Sequence, residues 1–172
     1  MLGTIPVICG GYDGNYFDEC LLYGTNHVIT MNSKRAYHSS VALSDERIWI
    51  LGGEGGSGSS IPTEFVTKEE AVNGPTLGLF LLGHCSVKCN NLIYLIGGLS
   101  QFSYGPTKNV WVANPSNGYA FVQGPSMMTS RSVHSCGTMS IGSTSIIIAA
   151  GGAGLSSVEI LDPLSNQWVE GK

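Results

Sequence analysis

Short apolar runs that end in a glycine pair recur along the chain. They read "IPVICGG" (5–11), "IWILGG" (48–53), "LIYLIGG" (92–98) and "SIIIAAGG" (145–152). Short runs rich in Ile, Val and Tyr and closed by glycine are typical of β-strands. Since no segment repeats its apolar residues with a helical period over two turns, we expect almost no helix.

The glycine pairs are spaced as an internal repeat would space them. Their first members are Gly10, Gly52, Gly97 and Gly151, at intervals of 42, 45 and 54 residues. A second apolar segment follows each of the later pairs, most clearly as "VWVANP" and "VEILDP" and more weakly as "TEFVTK". A third follows as "AVNGP", "FVQGP" or "WVEG". A regular period of this length is the signature of a repeat architecture.

A histidine closes the pattern. His84 and His134 each stand nine residues after a proline, and Arg131-Ser-Val-His134 matches Arg35-Ala-Tyr-His38. The remaining repeat has Leu81 in place of the arginine. Another small or apolar stretch follows each of the three histidines. We therefore expect four strands per repeat, with the strand after the histidine innermost and the Gly-Gly strand second.

The Gly-Gly pair, the "VEILDP" stretch followed by Trp168, and the Arg-x-x-His element resemble the Kelch repeat family. The resemblance implies an all-β, Kelch-type β-propeller in which each blade is a four-stranded sheet. The repeats would span 1–43, 44–89, 90–139 and 140–172 of a single propeller region, 1–172. The positions that the repeat fixes are Gly10, Gly11, Gly52, Gly53, Gly97, Gly98, Gly151, Gly152, His38, His84, His134 and Trp168.

About four blades are expected, of which three are complete and the first is partial. The first repeat begins directly on its Gly-Gly strand, and the last stops at "WVEGK". Kelch propellers most often have six blades, so the resemblance implies an incomplete ring with further blades missing from this chain.

Composition excludes several classes of partner. Only 12% of residues are charged, and the net charge is −4 with eight Lys and Arg, so the basic stripe that nucleic-acid binding needs is absent. No apolar run has the length of a membrane helix. The glycine-rich stretch "ILGGEGGSGSS" (50–60) lacks the lysine of a phosphate-binding loop, and Ile61-Pro62 breaks any helix start. We expect no nucleotide or other cofactor there.

The five cysteines are an odd number and lie mostly in apolar, strand-like segments. We expect reduced, buried thiols and a cytoplasmic location, which the blocked glycosylation pattern at Asn114-Pro115-Ser116 also favours. Cys85 and Cys89 have no second cysteine pair to complete a zinc site. Cys136 repeats the positions of Ser40 and Ser86, which favours a strand position over a nucleophile.

One face of the blades is predicted to bind a partner. Arg35 and Arg131 fall in the turn before an innermost strand, on the face that carries the loop after each Gly-Gly strand. Their guanidinium groups could pair with carboxylates of a peptide, or could instead bond carbonyls of the turn. The other predicted contact residues are Tyr12, Tyr16, Glu54, Ser57, Gln101, Phe102 and Tyr104.

The resemblance implies a non-enzymatic module that binds a peptide or protein loop. Relatives with a BTB region are substrate receptors of cullin ubiquitin ligases. The alternatives are a fragment of a galactose-oxidase-like copper enzyme and an actin-binding Kelch protein. If Arg131 contacts the partner, Arg131→Glu weakens binding without unfolding the chain; if the arginine is structural, the same change unfolds it.

Overall fold

The computed structural model describes residues 1–44, 46–56, 61–100 and 105–171. The chain is all-β, and the helical content of these residues is a single 3-10 turn at Pro115–Asn117. Sheets of three or four antiparallel strands make up the rest of the regular structure. The chain divides into two compact units, Met1–Leu82 (unit 1) and Gly83–Lys172 (unit 2).

Unit 1 contains two antiparallel sheets, with strand orders β1-β2-β3 and β4-β5-β6-β7. The strands of the first are β1 (Val7–Cys9), β2 (Glu19–Leu22) and β3 (Val28–Thr30). Those of the second are β4 (Ser39–Ser44), β5 (Arg47–Leu51), β6 (Glu64–Val66) and β7 (Ala71–Asn73). The short strand β8 (Leu81–Leu82) ends the unit.

Unit 2 contains two four-stranded antiparallel sheets, ordered β9-β10-β13-β14 and β15-β16-β17-β18. The strands of the first are β9 (Cys85–Cys89), β10 (Leu92–Ile96), β13 (Val110–Ala113) and β14 (Phe121–Gln123). Those of the second are β15 (Ser135–Ile141), β16 (Thr144–Ala150), β17 (Val158–Asp162) and β18 (Gln167–Glu170). The short strands β11 (Leu99–Ser100) and β12 (Gly105–Pro106) pair with each other.

The order of strands in each four-stranded sheet follows the repeat. The strand after the histidine comes first, the Gly-Gly strand second, and the two later segments third and fourth. The register repeats as well, since Ile50 pairs with Glu64, Leu95 with Trp111 and Ala149 with Glu159. In the sheet of the first repeat, β1 is the Gly-Gly strand and stands at the edge.

Each unit has a hydrophobic cluster to which both of its sheets contribute. In unit 1 the buried members are Leu2, Cys20, Leu22, Ile29, Met31, Ile48, Ile50 and Val66. In unit 2 they are Val87, Cys89, Tyr94, Ile96, Val110, Met127, Ile147, Ala149, Leu161 and Trp168. Alternate residues of a strand point to the same face of its sheet, which is why β16 contributes Ile147 and Ala149 but not Ile148. Each large side chain buried in this way contributes about 1.5–3 kcal/mol.

Among the residues that the structure describes, none forms a helix of the length and hydrophobicity that crossing a membrane requires.

Candidate functional site

The turn that contains Arg35 or Arg131, called the arginine turn below, explains why the pair before it must be glycine. Gly97 has φ +60°, and a Cβ there would lie 2.5 Å from the backbone carbonyl oxygen of Arg131. The N–H of the next residue, Gly98, donates to that same oxygen at 2.7 Å. In unit 1, Gly10 and Gly11 meet the carbonyl of Arg35 in the same way, with an N–H···O distance of 2.9 Å. Only glycine fits this close backbone approach.

The side chain of Arg35 lies inside unit 1. Its guanidinium donates to the carbonyl oxygens of Gly52 at 2.9 Å and Pro62 at 2.8 Å. It also forms an ion pair with Glu64 at 2.5 Å, and both side chains are fully buried. Burial lowers the pKa of Arg35, and the Glu64 carboxylate opposes that effect. The guanidinium is therefore held by a carboxylate and by carbonyls of its own sheet and loop.

Arg131 repeats this arrangement in unit 2. Its guanidinium donates to the carbonyl oxygens of Gly151 and Ser157, both at 2.8 Å. It lies 3.1 Å from the carboxylate of Glu159. The other contacts of that carboxylate are the backbone N–H groups of Met128 at 2.6 Å and Thr129 at 3.0 Å. Arginine and glutamate together thus fix the segment that leads into the arginine turn.

These contacts correct the prediction for the two arginines. Arg35 and Arg131 have no exposed surface, so neither guanidinium can reach a partner on the outside of the protein. The structure instead supports the alternative in which arginine bonds the carbonyls of turns. A buried guanidinium needs a full set of acceptors, because an unpaired buried charge is costly. We therefore no longer assign either arginine to partner binding.

The repeated histidines pack against the glycine pairs. The Cε1 atom of His134 would lie 2.9 Å from a Cβ at Gly97, and the equivalent distance from His38 to Gly10 is 3.0 Å. Burial, and then the neighbouring arginine, lowers the pKa of His38 and of His134 to about 4. Both rings are neutral at pH 7. Within the described part of the chain, the Nδ1 atoms of these two histidines are buried and have no hydrogen-bond partner.

The expectation of reduced thiols is wrong. Cys9 and Cys20 are joined by a disulfide between β1 and β2, and Cys85 and Cys136 by one between β9 and β15. Cys89 is free and buried, and burial raises the pKa of its thiol. The sequence pattern showed these cysteines in strands, but not which strands lie side by side. No group of His, Cys, Asp and Glu within the described ranges could hold a metal ion.

The side chains of Tyr12, Tyr16, Tyr37 and Glu54 lie together in unit 1, near the turn that contains Arg35. We call this group the tyrosine surface. The rings of Tyr12 and Tyr16 have centroids 4.8 Å apart and planes tilted by 45°. Partial burial raises the pKa of the Tyr16 hydroxyl, and the charge of the nearby Glu54 carboxylate raises it further. Tyr37, the next residue after a backbone bridge between Ala36 and Glu54, is 53% exposed.

Local turns put these side chains together. Tyr12 and Tyr16 form a backbone bridge across a tight turn, in which the N–H of Asn15 donates to the Asp13 carboxylate at 3.1 Å. Gly14, at φ +115°, supplies a conformation that other residues rarely adopt. The sequence pattern predicted contact roles for Tyr12, Tyr16 and Glu54 but not for Tyr37. The position of Tyr37 inside the Arg35-Ala-Tyr-His38 element was the sequence feature that could have indicated it.

The remaining predicted contact residues, Ser57, Gln101, Phe102 and Tyr104, lie outside the described residues. Trp168, predicted as a fixed position of the repeat, is 7% exposed, and its indole N–H donates to the carbonyl oxygen of Pro125 at 2.8 Å. Its role here is to join β18 to the segment after β14.

Neither the comparison with protein-family models nor that with curated proteins finds a match to this chain. Family and function therefore rest on the repeat itself and on the tyrosine surface.

Proposed function

We propose that this chain is a Kelch-type β-propeller region that binds a protein or peptide and has no enzymatic activity of its own. The repeat supports this proposal at three levels: strand order, register, and the contact between a glycine pair and the carbonyl of the residue three before the histidine. That contact occurs at Gly11 with Arg35, at Gly53 with Leu81 and at Gly98 with Arg131.

The tyrosine surface is the observation that carries the binding role. Tyr12 is 54% exposed and Tyr37 is 53% exposed, although aromatic side chains of this size are usually more buried. Tyrosine combines a large apolar ring with a polar hydroxyl and is enriched in protein interfaces and their binding hot spots. The backbone bridges beneath it hold the surface in place, so little ordering is needed on binding.

The more specific roles are separate proposals. A substrate-receptor role in a cullin ubiquitin ligase requires a BTB partner region and rests on the Kelch resemblance alone. The cytoplasmic location expected from the sequence is not proposed, because the two disulfides are typical of an oxidising compartment.

Selection of peptides from a displayed random library against the chain tests the binding role. We expect selected peptides to lose about tenfold in affinity with Tyr12→Ala or Tyr37→Ala, a typical effect of truncating an aromatic contact residue. Tyr23→Ala is the matched control, because Tyr23 is 64% exposed but follows β2, whereas Tyr16 precedes it. Equal binding by all three variants would contradict a binding role for this surface.

A further inference from the structure

We propose that the tyrosine surface receives the cationic side chain of an arginine or lysine in an extended peptide. The proposal rests on the proposed binding function and specifies its chemistry. It also reverses the charge preference expected from the sequence, in which arginines of the protein would bind carboxylates of the peptide.

The charged groups near this surface give the first argument. Arg35, in the same turn, directs its guanidinium inward to Glu64 and has no exposed surface. Lys34 is exposed in the same turn, and its ammonium group opposes a cationic ligand. The Glu54 carboxylate belongs to the tyrosine surface, and the Asp13 carboxylate lies in the turn between Tyr12 and Tyr16. A cationic ligand is thus complementary to these carboxylates.

The position of Glu54 gives the second argument. Its backbone is held by paired hydrogen bonds with Ala36, of 2.8 and 2.9 Å. Its carboxylate lies close enough to the Tyr16 hydroxyl for its charge to raise the pKa of that group. A carboxylate has about four acceptor positions, which a guanidinium or ammonium group can occupy.

The rings give the third argument. Tyr12 and Tyr37 are about half exposed, and the Tyr12 and Tyr16 planes are tilted rather than stacked. A cation within about 6 Å of an aromatic ring is attracted by its negative face, and arginine makes this contact more often than lysine. Rings beside a carboxylate thus favour a cation through two contacts at once, whereas an acidic ligand would be repelled by Glu54.

The test uses arrays of short peptides that are random except for one fixed central residue. The pools carry arginine, lysine, citrulline, norleucine or glutamate at that place. Citrulline keeps the shape of arginine without its charge. Binding of each pool is measured with the full chain and with the variants Glu54→Gln, Tyr16→Phe, Tyr12→Ala and Glu46→Gln. Glu46 is exposed and precedes β5, while Glu54 follows it, so this variant removes the same charge at the other end of the strand.

The proposal predicts that the arginine and lysine pools bind more strongly than the citrulline and glutamate pools. Glu54→Gln should weaken binding of the arginine pool roughly two- to fivefold, which brings it toward the binding of the citrulline pool. Glu46→Gln should change nothing. If all pools bind the full chain equally but bind Tyr12→Ala less tightly, the cation preference is overturned and the binding function stands. Binding of no pool, or binding that none of the variants changes, would contradict both.

Discussion

The guanidinium of Arg131 lies 3.1 Å from the carboxylate of Glu159, and neither side chain is more than 2% exposed. Arg35 and Glu64 form the same pair in unit 1. In the intervening repeat the equivalent positions hold Leu81 and Trp111, so both charges are absent together. This pattern is expected of a buried ion pair, because a single remaining charge would have no partner and no water.

Arg131→Met should destabilise the chain strongly. Removal of one partner leaves the Glu159 carboxylate buried and unpaired, which typically costs about 3–5 kcal/mol. Arg131→Glu should be worse and should prevent folding of unit 2, because it places two carboxylates together. Guanidinium chloride titration measures the loss. The double variant Arg131→Met with Glu159→Met should lose less unfolding free energy than the sum of the losses in the two single variants. A larger loss in the double variant would argue against a coupled pair.

Gly97→Ala should cost far more than Gly142→Ala. Both glycines have φ near +60°, so both substitutions carry about 1 kcal/mol of backbone strain. A Cβ at Gly97 would also meet the Arg131 carbonyl oxygen at 2.5 Å, whereas the surroundings of Gly142 are open. Thermal unfolding of the two variants measures the difference. A similar melting temperature for both would mean that the turn can move away from the added methyl group.

Stability should fall as the pH drops from about 6.5 to about 4. His38 and His134 have pKa values lowered from 6.5 to about 4 in the folded chain, so over this interval the unfolded chain binds more protons. Stability contributed by the neutral rings is complete above pH 6.5 and is lost as the pH approaches 4. We expect a loss on the order of 1 kcal/mol per histidine, since both rings are partly exposed.

Denaturant titrations at several pH values test this dependence, with His134→Gln as the comparison. That variant has no imidazole to protonate at this site, so its stability should fall less steeply between pH 6.5 and 4. An unchanged slope would place the acid sensitivity elsewhere in the chain.

Non-reducing mass analysis after alkylation should find one reactive thiol per unfolded chain, that of Cys89, and five after reduction. Loss of the Cys85–Cys136 bond should destabilise the chain more than loss of the Cys9–Cys20 bond. The first closes a sequence separation of 51 residues and the second one of 11, and the entropy removed from the unfolded chain grows with that length. Cys85→Ser and Cys9→Ser compare the two. Five reactive thiols without reduction would mean that neither bond forms.

The repeated glycine pairs, histidines and apolar segments predicted the four-stranded sheets and their strand order, and the lack of a helical period predicted the near absence of helix. Those properties are local, since each depends on apolar runs, turn residues and their period. The arginines could not be placed in this way. Arg35 is three residues from His38 but 29 from Glu64, and only the paired strands bring its partner beside it.

The sequence by itself determined the elements of this protein, because period and glycine placement act within one repeat. The tertiary structure decided which side chains are buried and which stay at the surface. It buried both arginines against carboxylates from later strands, joined cysteines from different strands, and left Tyr12, Tyr16, Tyr37 and Glu54 together at the surface. The physical reason is that burial and pairing depend on neighbours distant along the chain, and no local pattern records them.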